Sequence, residues 1–299
     1  MEIGFLGLGQ MGLPMARHLQ AGGHAVTGCD LRPDRRALAE NAGVTTTADT
    51  SELIDLPVLI LCLPDGAALR RALLDTGLLA AGLKAGSLVI DTSTVDHATA
   101  LAIGDALEGR GVAFVDAPVS GMVARAESGT LTVMCGGSDE AFARAEPLLA
   151  CFADKILHMG GQGAGQLTKL VNQLLYNINM AAVAEILPFA VSLGLDAEQV
   201  AQVVNSGTGR SHASEFFLPR ILEGRFGGSY PLEAAYKDMV AAADISAREA
   251  LPLPVLAAAT ATYQQALRHG LGAEGKGAMI KVFEELFDVQ VRNDSDPKG

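Results

Sequence analysis

Basic residues are scarce in this chain: 22 lysines and arginines stand against 34 aspartates and glutamates, a formal net charge of −12 over 299 residues. A surface of that sign repels phosphate backbones and anionic headgroups, so no nucleic-acid partner and no membrane partner is expected, and an anionic substrate needs local help. Cysteine is rare too. Cys29, Cys62, Cys135 and Cys151 show no paired metal-like spacing, and the first three sit in or beside strand-like apolar runs, where a reduced thiol acts as a small hydrophobe. The six histidines form no ligand pair, so no metal is expected. Long apolar runs are also wanting: Leu53 to Leu63 is about half of the ~20 residues that a membrane span needs, and Pro64 ends it. Met1-Glu2-Ile3-Gly4-Phe5-Leu6 lacks a basic segment and a small-residue cleavage site, so the expected compartment is the cytoplasm.

With 49% hydrophobic residues, the chain can fill the cores of two domains. Ile3 to Leu6 runs into Gly7-Leu8-Gly9-Gln10-Met11-Gly12, and Leu13 to Gln20 reads as a helix. In that order of strand, turn and helix, Gly7 permits the tight turn and Gly9 lets the backbone approach a pyrophosphate. Gly12 allows close helix–strand packing, and the helix N–H groups, at Gln10 and Met11, face the phosphates. A second strand, Ala25 to Cys29, ends at Asp30, where such folds place the acid that bonds the adenosine ribose. A carboxylate there repels the extra phosphate of NADP, which favours NAD as the cofactor. NADP stays open, since Arg32, Arg35 or Arg36 could reach a 2′-phosphate, although solvated surface charges are the simpler reading of all three.

Val58 to Leu63, Ser87 to Asp91 and Ala113 to Val115 read as strands buried on both faces. The segments that follow them carry Pro64, Thr94 and Ser120, which are expected to face one cofactor edge, because the carboxyl ends of a doubly wound sheet line one crevice. Asp65 and Ser93 read as turn closers and Asp96 as a helix cap. Gly163 to Gln173 then close a glycine-rich loop and open a long apolar helix lasting to about Leu193, after which only helical periodicity is found. The expected fold is therefore α/β: a Rossmann-type doubly wound sheet over residues 1–163, joined by the long helix to an all-helical substrate and oligomerisation domain over 164–299. On that helix Lys169, Asn172, Gln173 and Tyr176 share one face, a polar stripe among Leu, Val, Ile, Met and Ala.

Four stretches in this order carry a resemblance: Gly7 to Ala16; Asp116-Ala117-Pro118-Val119-Ser120-Gly121; Gly129-Thr130-Leu131-Thr132-Val133-Met134 with Gly136-Gly137; and the segment around Lys169. They resemble the β-hydroxyacid dehydrogenase family, which includes 3-hydroxyisobutyrate dehydrogenase and tartronate semialdehyde reductase and is related to 6-phosphogluconate dehydrogenase. The resemblance implies an NAD(P)-dependent enzyme that moves hydride between nicotinamide C4 and the carbinol carbon of a small 3-hydroxy acid. It further implies that Ser120 and the Gly121 and Met122 amides hold the substrate carboxylate, that Lys169 is the acid/base, that Asn172 orients substrate and that Lys237 lies near the nicotinamide. A lysine that titrates near ~10.4 is a poor base at neutral pH, so burial and the positive end of its own helix are expected to lower that value.

The departures from the family pattern are Met122 for a second glycine of the substrate loop, Arg125 for a later one, and Gln173 for the usual second asparagine after the lysine. Glu274-Gly275-Lys276-Gly277-Ala278 also replaces the usual Asp, hydrophobic residue and Ser. Arg125 is either a solvent-facing loop residue or a cation for a second anionic group on the substrate. Two rival functions are an imine reductase relative, which typically lacks the lysine, and a non-catalytic dinucleotide-binding interaction module. Lys169 argues against both, and a silent module would have little reason to keep Ser120, Lys169 and Asn172 together. Helices are expected at Ile178 to Leu193, Ala197 to Val204, Glu215 to Glu223, Leu232 to Ala250 and Leu253 to His269, with a frayed end from Arg292 to Gly299. The very apolar first helix points to a homodimer or homotetramer.

Overall fold

Strands that are apolar at every position need cover on both faces, and the first part of the molecule supplies it. The computed structural model describes residues 1–75, 82–228 and 230–292, and the chain divides into two compact units, Met1–Lys169 and Leu170–Gly299. In the first unit β1 (Glu2–Leu6), α1 (Gly12–Ala21), β2 (Ala25–Cys29), α2 (Pro33–Asn41), β3 (Thr45–Thr47), β4 (Val58–Leu61), α3 (Gly66–Arg70), β5 (Leu88–Asp91), α4 (His97–Glu108) and β6 (Ala113–Asp116) follow one another. The six strands run parallel in the order β3-β2-β1-β4-β5-β6. Ile3, Phe5, Ile60, Ile90 and Val115 enter one core cluster with Met15 and Leu19 of α1, while Leu59, Leu61, Val89 and Phe114 enter another with Leu69 of α3 and Ile103 and Leu107 of α4. Residues one apart along a strand thus serve opposite faces, which is why these strands read as unbroken apolar runs.

The sheet continues past β6 into strands that the sequence reading does not place. β7 (Val119–Ser120) leads through α5 (Met122–Glu127) to β8 (Leu131–Gly136), which pairs antiparallel with β6 and β7. After α6 (Asp139–Leu149), β9 (Ala153–Gly160) pairs parallel with β8. β9 is an edge strand with most positions exposed, so it carries no apolar run for a sequence pattern to register. Cys29 and Cys135 are buried and all four cysteines are free; burial pushes the thiols of Cys29 up to about 11 and of Cys135 up to about 12. They act as small hydrophobes.

α7 (Ala164–Ser192) is one continuous helix of 29 residues. Its mean hydropathy reaches 1.5 over 18 residues, so by length and composition it would pass as a membrane span, contrary to the reading that no stretch comes near one. The isolated polar residues of its stripe break every contiguous apolar run yet hardly lower a windowed mean. The second unit adds α8 (Ala197–Ser206), α9 (His212–Leu222), α10 (Leu232–Arg248), α11 (Pro254–Arg268), a 3₁₀ turn at Lys276–Met279 and α12 (Ile280–Phe287). Asp196 caps α8 by accepting from Gln199 N at 2.8 Å, and Ser211 with Ser214 forms a capping box on α9. These helices close on Met180, Leu187, Phe217, Leu232, Met239 and Tyr263. The tail from 293 to 299 lies outside the described residues.

Candidate active site

Glycine is required where the first strand turns. Gly7 has φ +101° and donates its N–H to Cys29 O at 2.8 Å, and a Cβ there would strike Cys62 O; one at Gly12 would strike Gly7 O. Above Gly9 nothing lies within 4 Å of an added Cβ, so a ligand backbone can approach the open peptide. Asp30 is tied to this turn: its Oδ2 accepts from Leu8 N at 2.8 Å and its Oδ1 from Arg32 N at 2.9 Å. The residues present therefore fit a dinucleotide, with the Gly7–Gly12 turn and the first N–H groups of α1 for the pyrophosphate, and the remaining lone pairs of Asp30 for a ribose. Of the nearby arginines, Arg32 forms a bidentate pair with Asp34 at 3.1 and 2.6 Å, and Arg36 donates to Asp30 O at 2.7 Å. Gln10 and Arg35 help line a cavity of about 520 Å³ with Arg17 and His18; Asp30, Pro64 and Thr94 are not part of its lining.

The carboxyl ends of β4, β5 and β6 are stitched to one another. Leu63 N donates to Ser93 Oγ at 2.8 Å, Thr92 Oγ1 donates to Leu61 O at 2.6 Å, and Asp65 closes its turn by accepting from Ala68 N. Pro64 and Thr94 are left exposed on this edge. Asp91 and Asp116 are register partners on adjacent strands and both are fully buried. Burial pushes the Asp91 carboxyl up to about 7, with the neighbouring Asp116 adding to it and the Ser93 hydrogen bonds opposing. Burial likewise pushes Asp116 up to about 6, while hydrogen bonds from the Gly163 and Gln166 N–H groups pull it down.

Those two N–H groups open α7. Gly163 N donates to Asp116 Oδ1 at 2.7 Å and Gln166 N to Asp116 Oδ2 at 2.8 Å, so a carboxyl from β6 caps the helix that carries Lys169. Gly165 lets the helix sit against the sheet, since a Cβ there would strike Asp116 O and Met134 O. Lys169 itself is 7% exposed. Ser120, which ends β7, is half-buried; after it Gly121 has φ +144° and Met122, which opens α5, has φ +60°, a left-handed conformation that glycine adopts without strain and methionine does not. Arg125, expected in a loop, lies in α5; it is half-buried, packs its stem against Gly121 and directs Nε to Thr130 Oγ1 beyond the helix at 3.5 Å.

In the second unit Asn172 is exposed, Gln173 Nε2 donates to Asp238 Oδ2 at 3.4 Å, and Lys237 is exposed on α10. Sequence reasoning passes over three residues. Asp116 is the cap just described and Gln166 supplies one of the N–H groups it accepts; the signal for Gln166 is its spacing of three from Lys169. Lys276 is 1% exposed, donates to Asn177 Oδ1 at 2.8 Å and stands 3.5 Å from the centre of the Tyr176 ring. Its signal is the glycine beside it, Gly277, which packs against Phe217 and Ile221 of α9 too closely for a side chain to fit easily.

Residues 2–161 match the family described as the NAD binding domain of 6-phosphogluconate dehydrogenase, and residues 163–283 match the NAD-binding family of NADP-dependent 3-hydroxyisobutyrate dehydrogenase. The chain is 34% identical over 292 residues to 2-(hydroxymethyl)glutarate dehydrogenase of Eubacterium barkeri, spanning 97% of each. It belongs to the β-hydroxyacid dehydrogenase family. L-threonate dehydrogenase of Cupriavidus necator is 36% identical over 284 residues, 94% of this chain and 96% of that one. A crystal structure of 3-hydroxyisobutyrate dehydrogenase from Salmonella typhimurium superposes with a TM-score of 0.85 at 30% identity, covering 94% of this chain and 99% of the other. β-Hydroxyacid dehydrogenases are NAD(P)-dependent oxidoreductases acting on CH–OH groups, which accounts for the Rossmann-type sheet and the open Gly9 turn of this member.

Proposed function

We propose that this enzyme oxidises, reversibly, the carbinol of a small 3-hydroxy acid with NAD, Lys169 exchanging the hydroxyl proton. The observation that carries the reading is Lys169 itself, a buried lysine in the first turns of a helix capped from the sheet by Asp116. In the oxidative direction the substrate O–H breaks and its proton passes to Lys169 Nζ as the carbonyl forms; in reverse the protonated Nζ polarises that carbonyl. Bound nicotinamide supplies the C4 that accepts or returns the hydride. Ser120 Oγ and the amides of Gly121 and Met122 hold the carboxylate, and Asn172 and Gln173 contact the rest of the substrate. Lys237 contacts the cofactor. The names of relatives suggest 3-hydroxyisobutyrate, L-threonate and 2-(hydroxymethyl)glutarate as acids to try, beside glycerate with its aldehyde acid, tartronate semialdehyde.

NAD is favoured over NADP, because a carboxylate at Asp30, at the end of β2, would repel a 2′-phosphate, a reading supported by the hydrogen bond it accepts from Leu8 N of the Gly7–Gly12 turn. The domain roles follow the sequence reading, with residues 1–163 binding the dinucleotide and 164–299 carrying substrate and subunit contacts. Homodimer or homotetramer formation is supported by a stripe of exposed apolar residues along and just beyond α7, Leu167, Val171, Leu175, Ile186, Phe189 and Leu193, each 38% to 66% exposed. A cytoplasmic location is supported by the N-terminal segment Met1 to Leu6, and the lack of nucleic-acid or membrane partners by the net charge of −12.

The test is a screen of those acids with NAD and NADP, followed by Lys169→Ala and Lys169→Arg on the best substrate. Loss of the acid/base is expected to lower kcat about 10²- to 10⁴-fold with NAD affinity kept. Arginine, which keeps the charge but cannot release its proton near neutral pH, is expected not to restore it. Near-normal turnover in Lys169→Ala would sink the mechanism, and restoration by arginine would make Lys169 a structural cation.

A further inference from the structure

Gln166 is 2% exposed, yet every polar atom of its side chain is engaged. Nε2 donates to Ser93 O at 2.8 Å and Oε1 accepts from Val95 N at 3.1 Å, so one side chain holds the peptide groups on both sides of Thr94. Thr94, between the two pinned peptides, is itself exposed. The backbone N–H of Gln166 meanwhile donates to Asp116 Oδ2. Lys169 lies three residues further on the same helix, on the same face and about 5 Å along the axis. A helix needing only to bury this position would be served by leucine or methionine, whereas an amide satisfied at both ends specifies a geometry.

Resting on the reading of Lys169 as acid/base and of Thr94 as a cofactor contact, we propose that Gln166 is a positioning residue that holds the Thr94 loop in register with Lys169. Both ends of the amide hold protein backbone groups and the side chain is 2% exposed, so it acts through its neighbours rather than by touching substrate or cofactor. Its effect reaches the reaction through two neighbours, one on each side of the hydride transfer. Alignment of this kind is steep in rate, since a displacement of about 1 Å costs about 10²-fold.

The experiment compares wild type, Gln166→Met, Lys169→Ala and the double variant, with the fastest acid of the screen above, deuterated at its carbinol carbon. Methionine keeps the length and removes both hydrogen bonds. Activity is expressed per NADH-binding site, counted by fluorescence titration, so that misfolded protein does not enter. Gln166→Met is expected to lower kcat about 10- to 100-fold. NADH affinity should change little, and the primary isotope effect on kcat should rise as hydride transfer becomes limiting. On the Lys169→Ala background the same substitution is expected to cost clearly less than in wild type, because the part of its effect that passes through that lysine is already lost. A wild-type kcat per site, an unchanged isotope effect, or an equal fold-loss with and without Lys169 overturns the proposal. If Gln166→Met does not fold, Gln166→Glu serves. It keeps an acceptor for Val95 N, and its kcat is expected to recover as falling pH returns a donor to Ser93 O; no recovery overturns the proposal. An active Lys169→Ala would remove the acid/base reading and this inference together, whereas an inactive Lys169→Ala beside a normal Gln166→Met removes the inference alone.

Discussion

Replacing Asp91 with asparagine is expected to stabilise this protein above neutral pH and not below it. Asp91 ends β5 in full burial, opposite Asp116; its Oδ1 accepts from Ser93 N at 3.0 Å, and its Oδ2 has no partner among the described residues. Its carboxyl is lifted from the ordinary 3.8 to about 7. Because the folded value is the higher one, the folded state keeps a proton that the unfolded chain has already released. The stability due to the neutral acid is complete below the unfolded value, is lost as pH rises towards about 7, and is gone above it. At 1.36 kcal/mol for each tenfold step, ionising Asp91 in place costs ~4 kcal/mol at pH 8. Asparagine keeps an oxygen for Ser93 N but brings an NH₂ into the same space, which offsets about 1–3 kcal/mol of the gain. The net expectation is a gain of about 1–3 kcal/mol at pH 8 that shrinks to nothing or reverses near pH 5. Guanidinium unfolding of both proteins, followed by circular dichroism at both pH values, measures the difference. A variant less stable than wild type by the same amount at both would refute the reasoning, since it would mean that the ionised carboxyl carries no cost in its site.

Asp30→Ala is expected to narrow an NAD preference in kcat/KM about tenfold, the scale of one charge-assisted hydrogen bond. It should also weaken both cofactors, because Leu8 N loses its acceptor; a wild-type enzyme that already prefers NADP would make the arginines after Asp30 the better guide. Met122→Gly is expected to raise the melting temperature by about 1–4 °C, since relief of a left-handed methionine is worth about 1 kcal/mol, and to change KM for the acid more than kcat. A lower melting temperature would mean that the backbone is held there by contacts of the methionine side chain.

What could be read in advance, and what could not, divides along the range of the interactions involved. β1, β2, β4 and β5 are legible because each buries both faces, so that adjacent residues are apolar for independent reasons. The start of α7 is legible from Gly163 and Gly165, whose missing Cβ atoms are required by His97 on one side and by β6 and β8 on the other. The polar residues that hold these pieces in register are not legible. Gln166 finds its partners 71 and 73 residues away and Asp116 finds its own 47 and 50 away, in segments whose local patterns give no hint of the pairing. Lys276 is the plainest case: set between two glycines, it reads as a loop charge, and the Asn177 side-chain oxygen, 99 residues away, and the Tyr176 ring help make its burial tolerable. Apolar periodicity is a local property and survives translation into one dimension. A buried polar group is settled by whatever partner the fold brings to it, so the residues that align a site are the ones a single sequence conceals.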